Sequence, residues 1–357
     1  MRSPLGSTLV ATFLAVLLLP LAPLRAPEVA RIDGTLNGMP INSQGSTVLM
    51  DKPYFSMTLD MNACAGFLLL NGELLYGAAM MPIKFDTPVN HLIRKGDNEL
   101  RMILAPVNEQ GQMGDFAKTM RCSMTLKVRP SGTSLDDNVT VTALSFTAKD
   151  PTGIEGNTPE GKLDSKKGFV PAKNGDVKIG KVNKEPFQIG TIVTRTIALP
   201  AIGLPEWKFF KSDDITSLSA PDIDGQMDDQ TRENLKKEIL PIYRKIWSAL
   251  EARDLKAVLP LYEERNKEID AAFFKKPGET GQRLAKELQE KASDTTIKLF
   301  PITEDNVVVR VSDNNKLVKL TQNNDKALIC FTDPVNHVGY YYDLILRKSG
   351  NKWIITR

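Results

Sequence analysis

The chain has 357 residues, of which 41% are hydrophobic and 25% are charged, a composition ordinary for a globular protein. Its 46 basic and 43 acidic residues give a net charge of +3 without a run of like charges, so the charge pattern predicts neither nucleic-acid nor membrane-surface binding. Only two histidines occur, which excludes the usual histidine-rich zinc sites and an HExxH helix.

The first 26 residues have the order of a secretory signal. Arg2 precedes an apolar run at 9–19, and Pro20 then breaks the run before a mixed segment that ends at the small residue Ala26. The run is too short to span the ~30 Å of hydrocarbon in a bilayer. We therefore expect a signal peptide at 1–26 and export to the periplasm or secretion, with an oxidising redox poise and no nucleotide pool. Because Pro27 lies directly behind the cleavage position, the pattern leaves open whether the signal is cleaved or remains as an N-terminal anchor.

The region 27–130 predicts an all-β, sandwich-like domain. Short apolar runs alternate with turn pairs such as Asn71-Gly72, which is typical of sandwiches and jelly rolls. The stretch 90–101, NHLIRKGDNELR, and the hairpin 70–74, LNGEL, resemble the galactose-binding-like jelly rolls appended to glycosidases. The resemblance implies a fold more than sugar binding, since this region contains no Trp to serve as a sugar platform.

The region 131–220 predicts a looser β segment with a long polar loop at 150–176 and a linker. Residues 156–162 match the phosphate-loop pattern GxxxxGK, but Leu163 stands where the magnesium-binding Ser or Thr belongs. We therefore expect no nucleotide cofactor. Cys64 and Cys122 lie in strand-like segments of the N-terminal region and can form a disulfide in an oxidising compartment. Three unpaired thiols are the alternative, and Cys330 has the surroundings of a small buried hydrophobe.

The region 221–357 predicts an α+β domain, with helices first and antiparallel strands after Ser293. Asp228 or Asp229 is the expected N-cap of a long helix that Pro241 should kink. One apolar stripe at helical spacing comprises Leu235, Ile239, Tyr243, Ile246 and Leu250. The phrase at 250–262, LEARDLKAVLPLY, and the closing hairpin at 343–357 resemble the SnoaL-like, nuclear-transport-factor-like cone fold. That resemblance implies a curved sheet and helices around an apolar pocket, in a family that ranges from enzymes to interaction modules.

The same resemblance points to candidate catalytic residues, since SnoaL-like enzymes place an Asp–His pair or a Tyr in the cone. His337 lies near Asp333, Tyr341 and Asp343, and a histidine beside carboxylates can act as a general base. The flanking Pro and Gly instead predict a solvated hairpin turn for His337. The tetrapeptide Pro-Val-Asn-His occurs both at 88–91 and at 334–337, and the different flanks favour coincidence over a shared ligand site.

Two hypotheses for function follow. The first is an exported, non-enzymatic binding or protein-interaction protein with a protein partner or a small ligand, for example a bacterial periplasmic immunity protein. The alternative is a small-molecule hydrolase or isomerase with its site in the C-terminal cone around His337. We expect no metal and no cofactor in either case. Convergence of His337, the tyrosines and a carboxylate in a pocket would favour the enzyme, and a solvated His337 would favour the binding protein.

Overall fold

The computed structural model describes residues 52–78, 80–148, 160–164, 168–171, 177–187, 190–199, 203–216, 227–312, 314–323, 326–335 and 337–356. Residues 49–357 form one compact unit. The predicted signal at 1–26 and most of the predicted loop at 150–176 lie outside the described residues, as does most of the phosphate-loop lookalike.

Strands up to residue 199 build two antiparallel sheets. Their bounds are β1 Pro53–Asn62, β2 Ala65–Leu70, β3 Glu73–Ala78, β4 Ile83–Pro88, β5 Gly96–Ala105, β6 Arg121–Pro130, β7 Val139–Thr147, β8 Glu160–Asp164, β9 Gly168–Pro171, β10 Val177–Phe187 and β11 Gly190–Leu199. The first sheet has the order β4-β1-β6-β7 and the second the order β3-β2-β5-β11-β10-β8-β9. Both sheets extend across residue 130, since β7 pairs with β6 and β11 pairs with β5.

The two sheets share one hydrophobic core. Alternate residues of each strand point into it, as the period of two requires. On β6, for example, the buried side chains are Cys122, Met124, Leu126 and Val128. The core also contains Phe55, Met57, Leu68, Met102 and Phe146. The prediction of an antiparallel, sandwich-like β region is thereby confirmed.

In the described residues of the C-terminal part, four α-helices precede the strands. They are α1 Asp229–Glu251, α2 Leu255–Val258, α3 Glu263–Ala272 and α4 Glu279–Ser293. Asp228 caps α1 by accepting a 2.8 Å hydrogen bond from the Thr231 amide, and Asp254 caps α2 through the Ala257 amide. All five residues of the predicted α1 stripe are buried, and Pro241 lies inside the helix. Within the described part of the chain, no helix is long and apolar enough to cross a membrane.

Seven strands follow the helices in the described part of the chain. They are β12 Lys298–Leu299, β13 Val307–Val311, β14 Leu317–Gln322, β15 Ile329–Asp333, β16 Val338–Tyr342, β17 Ile345–Ser349 and β18 Lys352–Ile355. They pair in the orders β12-β15-β16 and β13-β14-β17-β18, all antiparallel. The chain leaves the ladder at Asp343, so β16 and β17 are separate strands. The order of an all-β region followed by an α+β region is confirmed.

The segment 203–216 and the end of α3 pack against the sandwich. Trp207 is buried, and its Nε1 donates to the main-chain oxygens of Asn90 at 3.1 Å and Ile93 at 2.8 Å. The Asn90 side chain is fully buried and its Nδ2 donates to the carbonyls of Pro53 at 2.8 Å and Ala272 at 2.6 Å. Asn90 therefore connects the sandwich to the helical part, and we call this set of contacts the junction.

Candidate functional site

The β15–β16 hairpin carries His337 and three exposed apolar side chains. In its register Asp333 lies opposite Val338 and Cys330 lies opposite Tyr341. His337 is exposed and has a φ of 55°, a left-handed conformation suited to a tight turn. The predicted solvated turn is what the structure contains at His337.

The exposed apolar side chains concentrate at this hairpin. Val335 is 72% exposed, Val338 43% and Tyr341 39%, which is three of the six large apolar side chains exposed in the described residues. All three lie within 335–341, and we call this set with His337 the hairpin surface. Single exposed apolar residues scattered over a surface are normal, whereas exposed apolar side chains that lie close together are typical of contact sites.

Two tyrosines of β16 pack against the core. Tyr340 and Tyr342 pack against the C-terminal hydrophobic cluster, and Tyr342 lies edge-on to Phe331 at 5.8 Å between ring centroids. The Tyr342 hydroxyl bonds to Glu287 of α4 at 3.0 Å, and burial followed by the Glu287 charge raises the pKa of Tyr342. Lys291 of α4 lies 3.4 Å from the centroid of the Tyr340 ring. These contacts hold strand β16 against the hydrophobic core and against α4.

Gly339 determines where the exposed Tyr341 ring lies. A Cβ at Gly339 would lie 2.6 Å from the Tyr341 hydroxyl oxygen, so the ring lies directly over this glycine. The Lys326 ammonium lies 5.4 Å from the Tyr341 ring centroid. The Tyr341 ring therefore lies next to Gly339 and near the Lys326 ammonium, as part of the hairpin surface.

The four candidate catalytic residues do not converge on a common point. Asp333 is buried and accepts a 2.9 Å hydrogen bond from the Val335 amide, within its own turn. Asp343 pairs with Lys319 at 3.6 Å and is largely exposed. His337 and Tyr341 are both exposed.

The buried Tyr243 hydroxyl links α1 to the strands of the C-terminal part. The Tyr243 hydroxyl donates to the Leu344 carbonyl and accepts a 2.9 Å bond from the Leu320 amide. Burial raises the pKa of both Tyr243 and Tyr262, so both hydroxyls stay protonated. Arg265 stacks near the Tyr262 ring at 5.9 Å, and burial lowers its pKa. These groups hold the helices to the sheet.

None of the four candidate catalytic residues lines either of two surface clefts in the described part of the chain. A cleft of about 400 Å³ lies between the segment 205–208 and α3, and one of about 360 Å³ lies near the ends of α1 and α4. In the first, Glu264 accepts hydrogen bonds from Lys208 at 2.9 Å and Arg347 at 2.6 Å. Burial opposes ionisation of Glu264, but the bonds from Lys208 and Arg347 outweigh it and lower the pKa of this carboxyl. The carboxylate is therefore a structural anchor.

Cys64 and Cys122 are buried thiols in the sandwich core, and Cys330 is buried on β15. Burial raises the pKa of Cys330 to about 11. No group of three or more His, Cys, Asp or Glu side chains is placed to hold a metal ion among the described residues.

Sequence reasoning identified His337 and Tyr341 but not their apolar neighbours Val335 and Val338. The available signal was a Val on each side of a predicted turn, which sequence alone does not distinguish from two core residues. The pairing of Glu264 with Arg347, 83 positions apart, carried no local signal at all.

Comparison with known proteins gives no relative for this chain: it matches no protein-family model, no curated protein and no solved structure. Its function is therefore inferred from its own geometry.

Proposed function

We propose that this chain is an exported, non-enzymatic binding protein whose protein partner contacts the hairpin surface. The observation that carries the proposal is that three exposed apolar side chains, Val335, Val338 and Tyr341, lie within residues 335–341 of one hairpin. An exposed apolar group on a rigid element is a recurrent feature of protein contact sites, since binding removes that area from water.

The partner is proposed to add an extended segment beside β16. This strand is the outermost one in the order β12-β15-β16, so one of its main-chain edges has no strand next to it in the described chain. Such an edge can pair with an incoming strand, whose alternate side chains then meet the side chains of β16. Lys291 and Lys326 flank the two faces of β16, which favours an acidic segment over a basic one.

The finer fold assignments belong to the same proposal. We propose that the two-sheet region is a jelly roll of the galactose-binding-like type and that the α+β region is a SnoaL-like cone. The antiparallel sheets, the shared core and the helices preceding the last seven described strands support both assignments. Export is proposed from the signal-like order of residues 1–26.

The test uses affinity capture from the extracytoplasmic fraction of the host, with the tagged full chain as bait. The variants Val335→Asp and Val338→Asp place charges on the hairpin surface, and Leu135→Asp is the matched control on the sandwich, where Leu135 is 62% exposed. We expect one protein to be enriched by the wild type and by Leu135→Asp, and its recovery to fall about 10-fold with each hairpin variant, equivalent to ~1.4 kcal/mol.

A second measurement identifies the binding mode. The captured protein is digested, and its acidic segments are tested as synthetic peptides for binding to the wild type and to Val338→Asp by calorimetry. Equal capture by all variants, or a captured protein that binds Leu135→Asp no better than Val338→Asp, would contradict the proposal.

A further inference from the structure

Two thiols meet at one end of the sandwich. Cys64 lies in the connection from β1 to β2, which crosses from the first sheet to the second, and Cys122 is the second residue of β6 in the first sheet. Both side chains are fully buried and belong to the same hydrophobic core. Neither contributes to the hairpin surface, so their proximity needs an explanation of its own.

The strand register brings the two thiols together. Met61 of β1 lies directly opposite Cys122 of β6, and the chain then turns at Ala63, whose φ is 47°. Cys64 follows two residues after Asn62, which pairs with Arg121 next to Cys122, and the neighbouring Cys64 thiol is the first cause of the raised pKa of Cys122.

Two contacts hold the chain that precedes each cysteine. The Asn62 side-chain amide donates to the Thr119 carbonyl at 2.8 Å, three residues before Cys122. The Ala63 amide donates to the Met80 carbonyl at 3.1 Å, directly before Cys64. These bonds tie the β1–β2 connection to the segment that leads into β6.

We propose that Cys64 and Cys122 form a disulfide bond when the chain folds in an oxidising compartment. One cysteine thiolate attacks a sulfur of oxidised glutathione or of a protein disulfide and releases one thiol. The second thiolate attacks the mixed disulfide and releases the other thiol. The two cysteines together lose two electrons and two protons, and the external disulfide is reduced to two thiols.

Oxidation is expected before the sandwich closes. In the folded chain the hydrogen bond to Cys64, followed by burial, raises the pKa of Cys122, which keeps this thiol protonated and unreactive. Both sulfurs are inaccessible once the core has formed. Cys330 lies on β15 in the C-terminal part, so it is not a partner for either residue.

The test refolds the full chain from its reduced, denatured state in a buffer of reduced and oxidised glutathione. The product is denatured with iodoacetamide and without reductant, and its intact mass is measured. We expect one alkylated cysteine instead of three, and a peptide pair that joins Cys64 to Cys122. After reduction all three should be alkylated, and the thermal midpoint of the reduced chain should be lower than that of the oxidised chain.

The control variant Cys330→Ser should form the same bridge and leave no free thiol. Three alkylated cysteines in the wild type after refolding, or a linked peptide that contains Cys330, would overturn the proposal. Because the wild-type mass decides the outcome, the test does not depend on whether Cys64→Ser folds. Its result is also independent of the hairpin surface, so this proposal and the proposed function can fail separately.

Discussion

Asn90 gives the most direct test of how the two parts of the chain are joined. Its side chain accepts a hydrogen bond from the Phe55 amide and donates to the carbonyls of Pro53 and Ala272, all in a fully buried position. The change Asn90→Ala removes three hydrogen bonds worth about 1 kcal/mol each. The change also removes the side-chain acceptor of the buried Phe55 amide, which adds about 1–2 kcal/mol to the loss of stability. We therefore expect the free energy of unfolding to fall by about 4 kcal/mol.

The assay is equilibrium unfolding in urea, followed by far-ultraviolet circular dichroism and tryptophan fluorescence. With a slope of about 3 kcal/mol per molar, a loss of this size lowers the midpoint by about 1.3 M. Asn108→Ala is the control, because Asn108 also accepts two main-chain hydrogen bonds, from Gln110 and Gln112, but in an exposed loop. We expect the control to lose less than about 1 kcal/mol, since water replaces its bonds. A loss below about 1 kcal/mol in Asn90→Ala, equal to that of the control, would refute the reasoning about the junction.

Two further predictions concern the contacts around the junction. Glu264→Gln weakens the bond to the buried Arg347, and we expect a loss of about 2 kcal/mol at pH 7, measured by urea unfolding. Because the pKa of Glu264 is lower in the folded chain than in the unfolded chain, this stabilisation is present above about pH 4.3 and is lost as the pH falls through the folded value. The stabilities of the two proteins should therefore converge as the pH falls below that folded value. Gly72 has a φ of 80°, and a Cβ there would lie 2.6 Å from the main-chain nitrogen of Asn314. Gly72→Ala should therefore lower the thermal midpoint more than Gly132→Ala, where φ is 84° and the Cβ meets open space; equal shifts would show that backbone strain alone is responsible.

The helical part was predicted well because its signals are local. The cap at Asp228 and the buried stripe of α1 depend on residues three or four positions apart, which a sequence displays directly. In strand β13 buried and half-buried residues alternate, as the period of two requires. These elements form wherever the rest of the fold offers an apolar surface.

Long-range pairings were not predictable in the same way. The sequence predicted a sandwich-like domain at 27–130 and a separate, looser β segment at 131–220. In the structure β11 pairs with β5, from Thr191 opposite Leu104 to Leu199 opposite Gly96. The register between distant strands depends on packing in three dimensions, for which neighbouring residues carry little information. The same reason explains why the proximity of Cys64 and Cys122 remained one of two alternatives.

The repeated tetrapeptide Pro-Val-Asn-His shows which properties the sequence determines and which depend on the tertiary structure. The sequence by itself displayed the helix cap, the apolar stripe of the long helix and the turn signals, and it predicted a solvated turn for the copy at 334–337. Only the tertiary structure decided their roles: Asn90 of the first copy is a buried hydrogen-bond centre, and His337 of the second lies exposed on a hairpin. The physical reason is that burial and hydrogen-bond partners are set by what packs against a segment, and those groups come from far along the chain, as Ala272 does for Asn90.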